Sequence, residues 1–320
     1  MVLFLLLLGL SLILILRAIF TQEHRQEKII AILKTNDIRK EFWQTVAQGI
    51  HSAEKEFDVI VDIRGPLSET DIEEQIELLR EAIAEKPDAI MLAPVDVEAL
   101  VPAAEEVKKA GIRLIVIDMA LQAGKVDSLV MTDHVDAGRK AGAVLAQQLK
   151  PNSKIVMMSL MKNYQVALLR EQGVREALEA EYPHIEIVGS YFNYSEEETY
   201  AKTKVIFSDH KDLSGIIVMD SIATVGVTEA LKGIELVNKS VKLVGFEGSI
   251  NEIKLLEEGL MAAVVVRKPF NLGYLGIKAA VDLIRNPHSN STVMLEPVVI
   301  TQNNMYEPEN QKILFPFVIR

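Results

Sequence analysis

From Lys28 onward the chain alternates short apolar runs rich in β-branched residues with longer segments whose apolar positions follow a helical period. The runs are Ile29–Leu33, Val59–Ile63, Ala89–Leu92, Leu114–Ile117, Ile155–Met158, Ile185–Val188, Ile216–Met219, Leu243–Phe246 and Ala262–Val266. Short continuous runs of this kind read as strands buried on both faces, the habit of a parallel sheet. Helices are predicted between them, near residues 41–55, 71–86, 97–110, 134–149, 164–181, 196–208, 223–232 and 249–258. In the second of these, Ile72, Ile76, Leu79 and Ile83 fall on one helical face. Gly111, after Lys108, Lys109 and Ala110, suits a helix end before the next strand. The alternation predicts an α/β fold, a mostly parallel sheet with helices on both faces. Such open sheets bind ligands beyond the carboxyl ends of their strands, so chemistry is sought there.

The start of the chain obeys a different pattern. Met1–Leu16 is uncharged and dominated by Leu and Ile, and is apolar on every side. A helix over residues 1–20 would be roughly 30 Å long, enough to cross a bilayer core. No Lys or Arg precedes the run, and no A-x-A-like cleavage pattern follows it. Residues 1–20 are therefore expected to be a membrane anchor, retained in the mature protein, with a cleaved signal segment as the alternative, and 21–27 a polar linker.

Length adds that 320 residues exceed what one hydrophobic core usually supports, so two medium domains are expected. A formal net charge of −11 lacks the footprint needed for a phosphate backbone, so nucleic acid is not an expected partner. With no cysteine and six scattered histidines, neither a zinc site nor a thiol nucleophile can be assembled from the usual parts. G-x-S-x-G, H-E-x-x-H, P-loop and G-x-G-x-x-G motifs do not occur, and no enzyme activity or cofactor is expected.

Three strand ends carry an acid: Ile115-Val-Ile-Asp118, Ile217-Val-Met-Asp220 and Leu243-Val-Gly-Phe-Glu247. Any one of them could be a helix cap. Three at corresponding positions instead suit a polyol, because a carboxylate accepts hydrogen bonds from two hydroxyls at once. Complementary donors stand at Arg267, directly after Ala262–Val266, at Arg170 in a helical segment, and at Lys40 before Glu41-Phe42-Trp43. Phe42 and Trp43 point about 100° apart on a helix, so one is expected in the core and the other against the apolar face of a sugar ring. Asp118 and Arg267 are expected to face each other across a partly open cleft, where replacing either spares folding.

In order and spacing, these elements resemble the ribose-type periplasmic binding proteins, whose fold is shared with the ligand domain of lactose-type repressors. The resemblance spans about residues 28–300. It is carried by Glu41-Phe42-Trp43, Lys86-Pro-Asp-Ala-Ile-Met-Leu-Ala-Pro94, Val116-Ile-Asp118, Thr132-Asp133, Leu169-Arg170-Glu-Gln-Gly173 and Val244-Gly-Phe246-Glu247-Gly248. It implies two doubly wound parallel-sheet lobes joined by three hinge crossings, near Thr132–Asp133, Arg267–Lys268 and Glu296–Pro297. One lobe would comprise 28–132 and 268–296, the other 133–267 and 297–320. By the same resemblance a sugar or polyol would meet Phe42 and Trp43 by stacking, Asp118 and Arg170 at ring hydroxyls, and Asp220, Phe246, Glu247 and Arg267 from the far lobe. The family often has Asn where Lys40 and Asp220 stand, Asp at Glu247 and Gln at Arg267. That heavier charge leaves a sugar acid or another polyol open beside a pentose. The implied partners are an ABC permease or, for a sensor, a membrane histidine kinase or chemoreceptor, with the binding domain outside the cytoplasm. A repressor is not expected, since an apolar segment stands where a helix-turn-helix would be.

Overall fold

The computed structural model describes residues 25–315 apart from 38, 122–125, 160–164, 194 and 234–240. The chain runs through β1 (Lys28–Ile32), α1 (Glu41–Phe57), β2 (Ile60–Arg64), α2 (Ile72–Glu85), β3 (Ala89–Leu92), α3 (Val101–Lys109), β4 (Arg113–Asp118) and β5 (Ser128–Thr132). A second series follows: α4 (His134–Ala146), β6 (Lys154–Ser159), α5 (Gln165–Glu181), β7 (Glu186–Phe192), α6 (Glu196–Asp209), β8 (Leu213–Val218), α7 (Ser221–Lys232), β9 (Lys242–Phe246), α8 (Ile250–Glu257) and β10 (Ala263–Val266). The chain closes with α9 (Pro269–Arg285), β11 (Thr292–Leu295), β12 (Val298–Ile300) and α10 (Pro308–Leu314).

The strands form two sheets, ordered β11-β5-β4-β3-β1-β2 and β12-β10-β9-β8-β6-β7. Every pairing is parallel except β10 with β12. Each sheet is the centre of one α/β lobe. In the first, Ile29, Ala31 and Leu33 pack with α1 and α9, while Ile30 and Ile32 pack with α2 and α3 on the other face. Alternate residues of one strand thus feed two cores, which is why the runs lack polar positions. The second sheet does the same, Val156 and Met158 facing α6 and α7, Ile155 and Met157 facing α4 and α5. The chain passes between the sheets from β5 to α4, from β10 to α9 and from β11 to β12.

Five elements lie beyond those predicted: β5, α9, β11, β12 and α10. β5 alternates buried and half-buried positions, and the exposed strand β11 has only Leu295 fully covered, so neither shows a continuous apolar run. α9 contains Gly273 and Gly276, which read as helix breakers in isolation. Here glycine is demanded by packing, because a Cβ on Gly273 would collide with the Val46 carbonyl of α1, and one on Gly49 with the Phe270 carbonyl of α9. The second lobe repeats the device: Gly138 of α4 abuts the Arg170 carbonyl, and Gly173 of α5 abuts the Val135 carbonyl. Among the described residues no helix is long and apolar enough to cross a membrane. The anchor expected at residues 1–20 lies outside the described residues.

Candidate functional site

The carboxyl ends of the two sheets meet, and charged side chains from both interlock there. Asp118 ends β4 and Glu247 follows β9; both sheets place that strand third from the edge formed by β11 or β12. Both acids have left-handed backbones, with φ of 70° and 93°, at a cost of about 1–3 kcal/mol each for a residue other than glycine. Arg267, following β10, joins them. Its Nη1 donates to Asp118 Oδ1 at 3.0 Å, while Nε and Nη2 donate to Glu247 Oε2 at 3.0 and 2.6 Å. Its guanidinium also lies 3.5 Å from the centre of the Phe42 ring, a cation–π contact.

Each acid has a second cation. Lys34 Nζ donates to Asp118 Oδ2 at 2.7 Å. Arg170 donates from Nη2 to Glu247 Oε1 at 2.6 Å and from Nη1 to the Met219 carbonyl at 2.5 Å, and it stacks on Phe246 at 4.4 Å. The Gly138 and Gly173 contacts position that arginine, since they seat α5 directly against α4. His134, at the start of α4, holds Nε2 at 3.7 Å from Asp118 Oδ1, beyond hydrogen-bond length.

Burial alone would raise the Asp118 carboxyl, but the adjacent Lys34 and Arg267 charges hold it well below the ordinary carboxylate range. Glu247 follows the same logic: burial works to raise it, and Arg170 with Arg267 brings it down to about 2. Burial lowers His134 to about 4, so its imidazole is neutral at pH 7. Behind the Glu247 loop lies Glu252, fully buried at the first turn of α8 and pushed up to about 7 by that burial. It accepts from Gly248 N, Ser249 N, Ser249 Oγ and Thr224 Oγ1, in a capping box with Ser249.

The expected residues divide into three groups. Phe42, Asp118, Arg170, Glu247 and Arg267 come together in the charged cluster, with Phe246 fully buried beneath Arg170. Trp43 is 5% exposed, packed in the first lobe's core and edge-on to Phe42 at 5.1 Å. Lys40 and Asp220 stand on the cleft wall, Lys40 against Glu69 at 3.8 Å, while the Asp220 carboxylate caps α7 by accepting from Ala223 N. The partly open setting expected for Asp118 and Arg267 is not found. They are 1% and 7% exposed, enclosed by their ion-pair partners and, at Arg267, by the Phe42 ring. Sequence reasoning passed over Lys34 and His134. Lys34 directly follows the first apolar run, so the strand-end rule applied to the acids would have found it; His134 follows β5, the strand that pattern missed.

Beside the cluster a cleft of about 770 Å³ opens between the lobes, within the range of small-molecule sites. The first lobe lines it with Phe42, Trp43 and Asp118, the second with Asp220, Glu247 and Arg267. No group of three or more His, Cys, Asp or Glu among the described residues could hold a metal ion. A periplasmic binding protein domain matches residues 29–287, most of the chain. The chain belongs to the periplasmic binding protein family. The D-ribose/D-allose-binding protein of Pseudomonas aeruginosa is 26% identical over 297 residues, 88% of this chain and 91% of that protein. Among solved structures, a carbohydrate transporter solute-binding protein from Agrobacterium radiobacter in complex with D-arabinose superposes with a TM-score of 0.83 at 25% identity, covering 91% of this chain and all of that one. A sugar transporter from Clostridium phytofermentans is 33% identical with a TM-score of 0.75, covering 86% of this chain and 99% of its own. This periplasmic binding protein is thus an extracytoplasmic solute-capturing protein and not an enzyme.

Proposed function

We propose that the protein captures a sugar or related small polyol in the interlobe cleft and delivers it to an ABC permease. The observation that carries this is the meeting of Phe42 and Asp118 from one lobe with Arg267 and Glu247 from the other on the cleft wall. Flat apolar surface beside fixed charged hydrogen-bonding groups suits the two faces of a sugar. Relatives of similar length that bind ribose, allose or arabinose support the same reading. We assign 28–132 with 268–296 to one lobe and 133–267 with 297–320 to the other. Phe42, Asp118, Arg170, Glu247 and Arg267 form the site; Lys40, Trp43, Asp220 and Phe246 border it.

The apolar Met1–Leu16 run favours a second reading, in which residues 1–20 tether the domain beside a membrane histidine kinase or chemoreceptor that reads its occupancy. Both readings use the same cleft. Thermal melting of the full-length chain against pentoses, hexoses, their acids and their polyols tests it: at least one should raise the melting temperature saturably, and that rise should vanish in Phe42→Ala. No response across the panel would contradict sugar capture.

A further inference from the structure

The groups assigned to the sugar are already engaged with one another. At 3.5 Å from the ring centre, the Arg267 guanidinium can only lie over the face of Phe42. Its Nη1 donates to Asp118 Oδ1, and its Nε and Nη2 both donate to Glu247 Oε2. Lys34 takes Asp118 Oδ2 and Arg170 takes Glu247 Oε1. All four carboxylate oxygens therefore hold an N–H from a cation, and one face of the aromatic ring is covered.

The three cations hold different positions. Lys34 and Arg170 are buried behind the cleft wall, and of the three only Arg267 borders the cleft. Lys34 and Arg170 each serve the acid of their own lobe, whereas Arg267 bridges the two acids and reaches Phe42 as well. With Arg267 withdrawn, Asp118 keeps Lys34 and Glu247 keeps Arg170, so neither acid is left without a cation.

A guanidinium offers flat, weakly hydrated faces that stack on aromatic rings, with N–H donors around its edge. A sugar ring offers a C–H face with O–H donors around its edge. The two fit the same three partners, Phe42, Asp118 and Glu247, and they cannot share one ring face at contact distance. We infer that Arg267 is a built-in occupant of the sugar's place, which an incoming sugar displaces from Phe42 and from both acids. This rests on the sugar-capture reading above and gives Arg267 the part of a gate within it. The displaced guanidinium meets further carboxylates, because Glu41 and Glu196 stand exposed on the cleft wall. Apparent affinity is scaled down by the fraction of molecules from which the guanidinium has withdrawn, so this side chain sets the threshold for capture. A ring with donors on opposite edges replaces all that Arg267 supplies; a solute that satisfies one acid alone does not.

Titration calorimetry of the full-length wild type, Arg267→Gln and Arg267→Lys with D-ribose, D-allose, D-arabinose and D-galactose tests this. Arg267→Gln should bind at least one of these sugars about tenfold more tightly than wild type, the factor that corresponds to one desolvated cation–π contact. Arg267→Lys keeps the charge beside the buried acids but has neither the flat face nor the fork, and should gain about threefold. It carries the decision if Arg267→Gln does not fold. A sugar bound by a variant and not by wild type is the same result in stronger form. Wild-type affinity equal to or above that of every folded variant would overturn the inference, make Arg267 a direct contact or a bystander, and leave sugar capture standing. No binding of any of the four sugars by wild type or variant would overturn both.

Discussion

The two lobes carry their strand-end acids at the same place in the same sheet order, and both bend the backbone into the left-handed region there. Their supporting cations differ. Glu247 is held within its own lobe by Arg170, a planar fork that also bonds the Met219 carbonyl and stacks on Phe246. Among the described residues Asp118 has from its own lobe Lys34, a point charge making one hydrogen bond, and takes its second hydrogen-bond partner, Arg267, from across the cleft. The second lobe therefore presents a finished half-site, and the first completes its half only when the lobes meet.

Arg267→Ala attacks that difference most strongly. Among the described residues it leaves Asp118 hydrogen-bonded only to Lys34, and it removes two of the three guanidinium bonds to Glu247. Breaking a buried pair on one side costs about 3–5 kcal/mol, which urea unfolding of the variant beside the wild type should register. A variant within about 1 kcal/mol of wild type would mean that the cluster contributes little to folding.

Next in size is Glu252→Gln, behind the second lobe's acid. Its folded pKa, about 7, lies above the ordinary 4.5, so its contribution is fully present below about pH 4.5 and is lost as pH rises through 7. Melting curves should show wild type losing on the order of 2–3 kcal/mol between pH 5 and 8 from this group. Glu252→Gln should remove that loss. His134, lowered from 6.5 to about 4, acts in the opposite sense, its stabilisation being present above 6.5 and falling as pH drops towards 4.

Smaller effects are expected at the helix pairs. Gly138→Ala and Gly49→Ala each force a Cβ against a carbonyl of the neighbouring helix and should cost about 1–3 kcal/mol. Only Gly138→Ala presses on the helix bearing Arg170, so at matched folded fraction it should weaken ligand binding more than Gly49→Ala. Equal losses of affinity would remove Arg170 from the site.

Much of this was legible in the sequence, for identifiable reasons. Runs buried on both faces, such as Ile29–Leu33, advertise parallel strands, and acids directly after such runs mark the ends where ligands bind. What could not be read were α9, whose Gly273 becomes favourable only once α1 lies against it and whose Gly276 only once Met91 and Ile117 of the sheet do, and the pairing itself. Asp118 and Arg267 are 149 residues apart, and no local pattern shows that one neutralises the other. Hence both looked like open cleft residues, whereas Asp220 lines the cleft and also caps a helix, the two roles its strand-end position left open.

The claim that one ion network spans both lobes is tested most directly by a double-mutant cycle on unfolding free energy, using Asp118→Asn, Arg267→Gln and the double variant. The account predicts a coupling of about 1–3 kcal/mol between residues on different sheets. Losses that add to within about 0.5 kcal/mol would contradict it, because independent sites behave that way and interlocked charges do not.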